Sequence, residues 1–184
     1  MNRTLTRTLA ALALLVPALL VPTSAQAHPY CGLRWGSLPR TSDLSTLPSA
    51  SGDVVDVRSG RHTCYDRLVV DVDGSLGGYR VSYVDQVEAD GSGEVVPTAG
   101  GARLQVVAVA PAYDDAGEAT IEADPDEVVE VDGYRTFRQV TWAGSFEGYT
   151  ALGLGVRARL PFRAFTIAGP GDSTRLVVNV AHRW

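Results

Sequence analysis

An all-β, two-sheet sandwich is the fold class that this sequence predicts, on three observations. A six-residue phrase occurs twice, as Arg67-Leu68-Val69-Val70-Asp71-Val72 and as Arg175-Leu176-Val177-Val178-Asn179-Val180, differing only in Asn for Asp. Apolar and polar residues alternate with a period of two through several segments, and no long stretch carries the 3.6-residue period of an amphipathic helix. Turn residues punctuate the chain between those segments, which together read as about nine short strands.

Alternate side chains of a strand face opposite ways. Leu68, Val70 and Val72 therefore share one face, as do Leu176, Val178 and Val180, while Arg67, Val69 and Asp71 share the other with Arg175, Val177 and Asn179. A slip of one residue would carry Arg and Asp into the core, so the register is well specified. Each copy follows a polar turn and an earlier apolar run. This predicts two similar hairpins at opposite ends of one domain, with the Arg67/Asp71 and Arg175/Asn179 pairs forming polar ladders across strands on the solvent face.

Residues 1–27 read as a secretory signal peptide, with Arg3 and Arg7 before an apolar run from Leu9 to Val21 and a small-x-small site at Ala25-Gln26-Ala27. The run is short for a membrane span. The expected mature protein is secreted or envelope-associated, with no membrane insertion after signal cleavage. Residues 28–53 form an N-terminal hook and linker: Tyr30, Cys31 and Trp35 supply an apolar hook, and the Ser, Thr, Pro and Gly of 38–53 an irregular connector. The β domain occupies 54–184. Val54 to Arg58 begins it, Asp66 to Asp73 is the first copy of the phrase, and Tyr79 to Val87 alternates cleanly. Asp90-Gly91-Ser92-Gly93 and Gly100-Gly101 mark a loop. Leu104 to Ala110 is a nearly continuous apolar run, a pattern of burial on both faces. Tyr113 to Asp132 is an acidic, solvated loop with a turn near Pro125; its carboxylates lack the spacing of a calcium loop. Tyr134 to Ala143, Thr150 to Leu160, Phe162 to Ala168 and Thr174 to Trp184 complete the strands, and His182 falls on the buried phase of the last one as a structural histidine.

The chain has 184 residues and a net charge of -5, and its 16 basic residues are all Arg. An acidic balance argues against a nucleic-acid binder, because affinity for phosphate needs a cationic surplus. Cys31 and Cys64 are the two cysteines. In an oxidising compartment an even pair is most simply a disulfide, worth roughly 3–4 kcal/mol in the chain-entropy picture. The alternative, a redox or metal pair, is disfavoured by the long separation.

Gly153 and Gly155 alternate with Leu152, Leu154 and Val156, and share their face with Arg157 and Arg159. Bare positions weaken a strand unless something approaches closely. Internal packing, with an aromatic laid over the glycines, is the ordinary arrangement. The alternative is a shallow groove walled by Trp142, Phe146 and Tyr149 and bordered by the arginines. Sugar rings stack on aromatic faces and Arg grips carboxylates in a fork, so Trp142, Tyr149, Arg157 and Arg159 are the expected ligand contacts. Cleavage after Ala27 would also leave His28 first, and a terminal amine with its own imidazole can hold copper, as in lytic polysaccharide monooxygenases, with His62 or His182 as second ligand. Nothing else in the sequence supports that oxidase chemistry, nor a nucleophile elbow; no enzyme activity, resident metal or cofactor is expected.

The repeated phrase resembles the hallmark strands of AMIN domains. More specifically, the chain is similar to the AMIN-like proteins exported by actinobacteria. The matching stretches are Cys31 to Ser37, Gly60 to Val70, Gly144 to Gly148, Gly155 to Arg163 and Ala181 to Trp184. The resemblance implies a sandwich of two small sheets related by pseudo-symmetry, and a non-catalytic envelope module whose partner is a cell-wall glycan such as peptidoglycan. An envelope protein, bound by a structural or protein-interaction domain, is the alternative partner.

Overall fold

A computed structural model describes residues 30–42 and 51–184. The expected signal peptide 1–27, His28 and residues 43–50 of the expected linker lie outside the described residues. The strands are β1 (Arg40–Thr41), β2 (Asp53–Arg61), β3 (Tyr65–Asp73), β4 (Tyr79–Val84), β5 (Val87–Glu88), β6 (Val95–Val96), β7 (Ala102–Ala108), β8 (Phe137–Phe146), β9 (Tyr149–Val156), β10 (Phe162–Ala168) and β11 (Thr174–Ala181). A five-stranded sheet runs β1-β4-β7-β9-β8, a four-stranded sheet β10-β11-β3-β2, and β5 and β6 make a small ribbon. Every named pairing is antiparallel.

The two copies of the repeated phrase are β3 and β11, and they pair with each other. Leu68 lies opposite Val178, Val69 opposite Val177 and Val70 opposite Leu176. The hairpins β2-β3 and β10-β11 are thus related by a local two-fold within one sheet. The expected hairpin repeat is present, but its symmetry acts inside the four-stranded sheet and does not exchange one sheet for the other. Leu68, Val70, Val72, Leu176, Val178 and Val180 are all essentially inaccessible. They meet Val81, Leu104, Val106, Leu152, Leu154 and Val156 from the five-stranded sheet in one core. At about 25 cal/mol per Å² of apolar surface removed from water, this inter-sheet layer is the main stabilising term.

The five-stranded sheet is covered on its second face as well. Val107 and Ala151 pack with Val87 and Ala143 beneath the β5-β6 ribbon, which explains the nearly continuous apolar run of β7. The acidic segment follows the outer edge of β8: Val128 donates its N–H to the Val140 carbonyl and Trp142 its N–H to the Pro125 carbonyl. An exposed edge is thereby occupied.

Residues 30–42 bridge the sheets at one flank. Gly36 pairs with Phe162 at the start of β10, and β1 pairs with β4. The Cys31–Cys64 disulfide fastens this segment to the β2-β3 turn, with Cα atoms 6.4 Å apart. A buried polar knot lies next to it. Asp66, 1 % exposed, accepts the N–H groups of Thr136 (2.6 Å) and Phe137 (3.2 Å) and lies 3.1 Å from His182 Nε2. His182 is buried, as its place in the sequence implies, and its N–H bonds the Cys64 carbonyl.

Candidate functional site

The outward face of the four-stranded sheet is built from the odd positions of the repeat. Register places Arg163, Asn179, Arg67 and Gly60 in one row, Phe165, Val177, Val69 and Arg58 in the next, and Ile167, Arg175, Asp71 and Asp56 in the third. A cavity of ≈ 240 Å³ opens on this face, lined by Arg58, Arg67, Arg175 and His62 around Val69 and Val177. Gly60 leaves room there, since a Cβ would meet nothing nearer than His62 Nε2 at 3.7 Å.

The near-symmetry of the repeat governs the charges. Arg175 Nε donates to Asp71 Oδ1 at 2.9 Å, and Arg58 donates to both oxygens of Asp71. The symmetry-related contact runs from Arg67 Nε to Asn179 Oδ1 at 2.8 Å. Asp71 serves two guanidinium groups, whereas Arg67 faces a neutral amide. The cavity lining contains three guanidinium groups and no carboxylate. Burial pushes the Asp71 carboxyl up, but the hydrogen bonds and charges of Arg58 and Arg175 outweigh it and hold Asp71 below the usual carboxylate range. Burial and then the neighbouring Arg67 charge lower the His62 pKa, against a smaller opposing pull from Asp66.

One end of the cavity runs into aromatic surface. His62 stacks on Tyr65 with centroids 4.5 Å apart, and the Arg67 guanidinium sits 5.3 Å from the Tyr65 ring centre. Trp35 follows at 5.8 Å from Tyr65, then Tyr30 at 6.4 Å from Trp35, with Arg183 over Tyr30. The disulfide and the bond from Trp35 Nε1 to the Tyr30 carbonyl (2.8 Å) hold this platform. Larger hollows of ≈ 580 and ≈ 660 Å³ exist elsewhere. The first sets Asp85 and Asp126 against Arg103, and the second is wholly acidic in its charged lining. Volume is therefore a poorer guide than charge for an anionic ligand.

A family model for the AMIN-like domain matches residues 52–182. The chain belongs to the AMIN-like domain family. No curated protein and no solved structure gives a significant match. Membership makes this chain an envelope-associated binding or structural module, and the AMIN-like domain with its disulfide is compatible with an extracellular or envelope location.

The AMIN-like domain does not bring together the four ligand contacts expected from sequence. Trp142 sits opposite Leu152 and packs against the inter-sheet core. Tyr149 is exposed where β8 turns into β9, beside Phe146. Arg157 and Arg159 lie past the far end of β9, Arg157 about 26 Å along the strand direction from Tyr149 at the usual rise per residue. Arg157 Nη2 donates to the His182 carbonyl, and Arg159 caps the Tyr83 ring at 4.7 Å. The glycine-floored groove is likewise filled. A Cβ on Gly155 would fall 1.8 Å from the Ala99 carbonyl oxygen, and one on Gly153 would meet Thr141 Oγ1 at 2.4 Å and Thr98 Oγ1 at 2.8 Å. Close approach does explain the glycines, but the loop after β6 makes it at Gly155, and Thr141 of β8 with Thr98 of that loop makes it at Gly153, rather than an aromatic. Among the described residues no group of three or more His, Cys, Asp or Glu is placed to hold a metal ion, and no helix is long and apolar enough to cross a membrane. His28, the copper ligand considered from sequence, lies outside the described residues, and His182 Nε2 is engaged with Asp66.

The sequence reads Arg67, Asp71, Arg175 and Asn179 as polar ladders, and the ladder contributes Arg67 and Arg175 to the cavity wall. Arg58, His62 and Tyr65 were missed as its neighbours. The one available signal was the Asn that breaks the repeat.

Proposed function

We propose that this AMIN-like domain is an exported, non-catalytic module that holds an acidic cell-wall glycan, such as peptidoglycan, in the groove across β2, β3 and β11. One observation carries the reading: Arg67 faces Asn179 where the repeat elsewhere supplies a carboxylate, so a cavity lined by three arginines keeps a positive charge on an otherwise acidic protein. An Arg fork matches a sugar-borne carboxylate, and the Tyr65, Trp35 and Tyr30 surface offers stacking to the next ring. The cavity is smaller than drug-sized pockets, so one acidic unit enters while the chain lies along the sheet.

The test is a pull-down with purified sacculi in low salt. The parent is retained. Asn179→Asp, which gives Arg67 an internal carboxylate, and Arg67→Ala each weaken retention by about tenfold, equivalent to ~1.4 kcal/mol. Tyr149→Ala and Arg159→Ala leave it unchanged. Failure of the parent to bind would sink the proposal, and losses confined to the last two variants would move the site to the five-stranded sheet.

A further inference from the structure

We infer that the groove has a second acidic subsite beside the cavity, where Arg163, Arg67 and the Asn179 amide take another carboxylate of the same glycan. The ligand is then a chain that carries acid groups on neighbouring units. For what the cavity itself holds, this rests on the glycan reading; it goes further in naming a second point of grip and the residues that make it.

The local two-fold of the four-stranded sheet marks the place. It carries Asp71 onto Asn179, Arg175 onto Arg67 and, on the flanking strands, Asp56 onto Arg163. At one end of the face two carboxylates accompany Arg58 and Arg175. At the other end both acids are replaced, one by an amide and one by a cation. Arg163, Asn179 and Arg67 are direct neighbours across β10, β11 and β3. Among the described residues neither arginine has a carboxylate within ion-pair reach. Like charges in one row of a sheet repel, and an anion between them removes the conflict.

Asn179 points to the same ligand. It is 1 % exposed. Its Oδ1 accepts from Arg67 Nε at 2.8 Å, which fixes the orientation of the amide and turns Nδ2 away from Arg67. Nδ2 has no acceptor among the described residues, yet it stays open to solvent. A donor so placed is costly to leave unmade. Arg163 stands on the next strand, with its guanidinium 5.2 Å from the Phe165 ring centre.

The spacing suits one carboxylate. The Arg163 and Arg67 backbones lie two strands apart, about 10 Å at the usual strand spacing, and two Arg side chains can close that gap. Each guanidinium offers paired N–H groups in a plane, and the Asn179 amide adds a further donor. Arg67 also lines the cavity, so the two subsites adjoin. One acidic unit enters the cavity, and the next lies across β11 toward β10.

Calorimetric titration with galacturonate and with trigalacturonate, one acid group against three, tests the subsite apart from the wall itself. The parent binds the trimer about tenfold tighter than the single unit. Arg163→Gln cuts that advantage to about threefold or less while affinity for the single unit stays near that of the parent. Arg80→Gln, which removes an exposed arginine from the other sheet, keeps the full advantage. A parent that does not prefer the trimer, an Arg163→Gln protein that prefers it as strongly as the parent, or an equal loss in Arg80→Gln would overturn the inference. Should Arg163→Gln fail to fold, Arg163→Lys, which keeps the charge and loses the fork, decides by the same measure. Sacculi separate the two readings. If the parent and Arg163→Gln are retained equally, the cavity reading stands and the second subsite falls. If the parent is not retained at all, the wall reading falls and the trimer titration still judges the subsite.

Discussion

Asp71 illustrates how one side chain ties charge to stability. It bridges Arg58 on β2 and Arg175 on β11, joining three of the four strands of its sheet. Its folded pKa lies below the ordinary carboxylate value, near 3.9 when unperturbed. The folded state therefore favours the ionised form. The stability this contributes is fully present above the unfolded pKa and is lost as pH falls through the lowered folded value. Chemical denaturation between pH 7 and pH 2 checks the sign: the parent weakens toward acid, and Asp71→Asn flattens that part of the curve. If both chains show the same slope, the bridge is not what holds Asp71 ionised. Asp66 does a different job with the same functional group. It is inaccessible and satisfies two backbone N–H groups that would otherwise be orphaned, and an unmet buried donor costs about 1–3 kcal/mol. The sequence marked His182 as structural through its phase, yet it could not name Asp66 as the partner, because the contact spans strands far apart in the chain.

At the level of single elements, strand β9 separates what was legible from what was not. Its alternation predicted the buried face correctly: Leu152, Leu154 and Val156 are in the core. The strand ends at Val156, short of the expected Leu160, because Ala158 to Pro161 carry the chain across to the other sheet. The glycines announced a close approach, but the loop after β6 that makes it comes from a stretch whose Gly and Asp content says only that it turns. Replacing Gly155 with Ala measures that approach. The new Cβ would fall against the Ala99 carbonyl oxygen, so backbone must move, and overpacking of this kind costs about 1–3 kcal/mol or more. Gly60→Ala, whose Cβ would make only an ordinary contact with His62 Nε2 at 3.7 Å, is the comparison and should stay within about 0.5 kcal/mol of the parent. Equal denaturation midpoints for the two would mean that the loop yields freely.

For the whole molecule, the Cys31–Cys64 bond closes a separation of 33 residues, and it anchors a segment that lies outside the matched family region. Cys31→Ser with Cys64→Ser should lower stability by about 3–4 kcal/mol on the chain-entropy scale. The same change should loosen the Tyr30 and Trp35 platform, seen as a shift in Trp emission before the main transition. An unchanged melting temperature would show that Gly36 and β1 hold the segment unaided. The fold class and the disulfide were legible because period and parity are local properties. Which strands neighbour one another was not, because pairing of distant copies leaves no mark in either copy alone. That pairing sets the order of assembly. β11 lies between β3 and β10, so the four-stranded sheet has no middle until Thr174 to Ala181 has arrived. Contacts so distant in sequence form slowly. A chain emerging amino end first therefore travels with one edge of β3 unpaired and with the place of Leu176, Val178 and Val180 in the core unfilled, and any factor that escorts it meets an open strand edge until the final strand slots home.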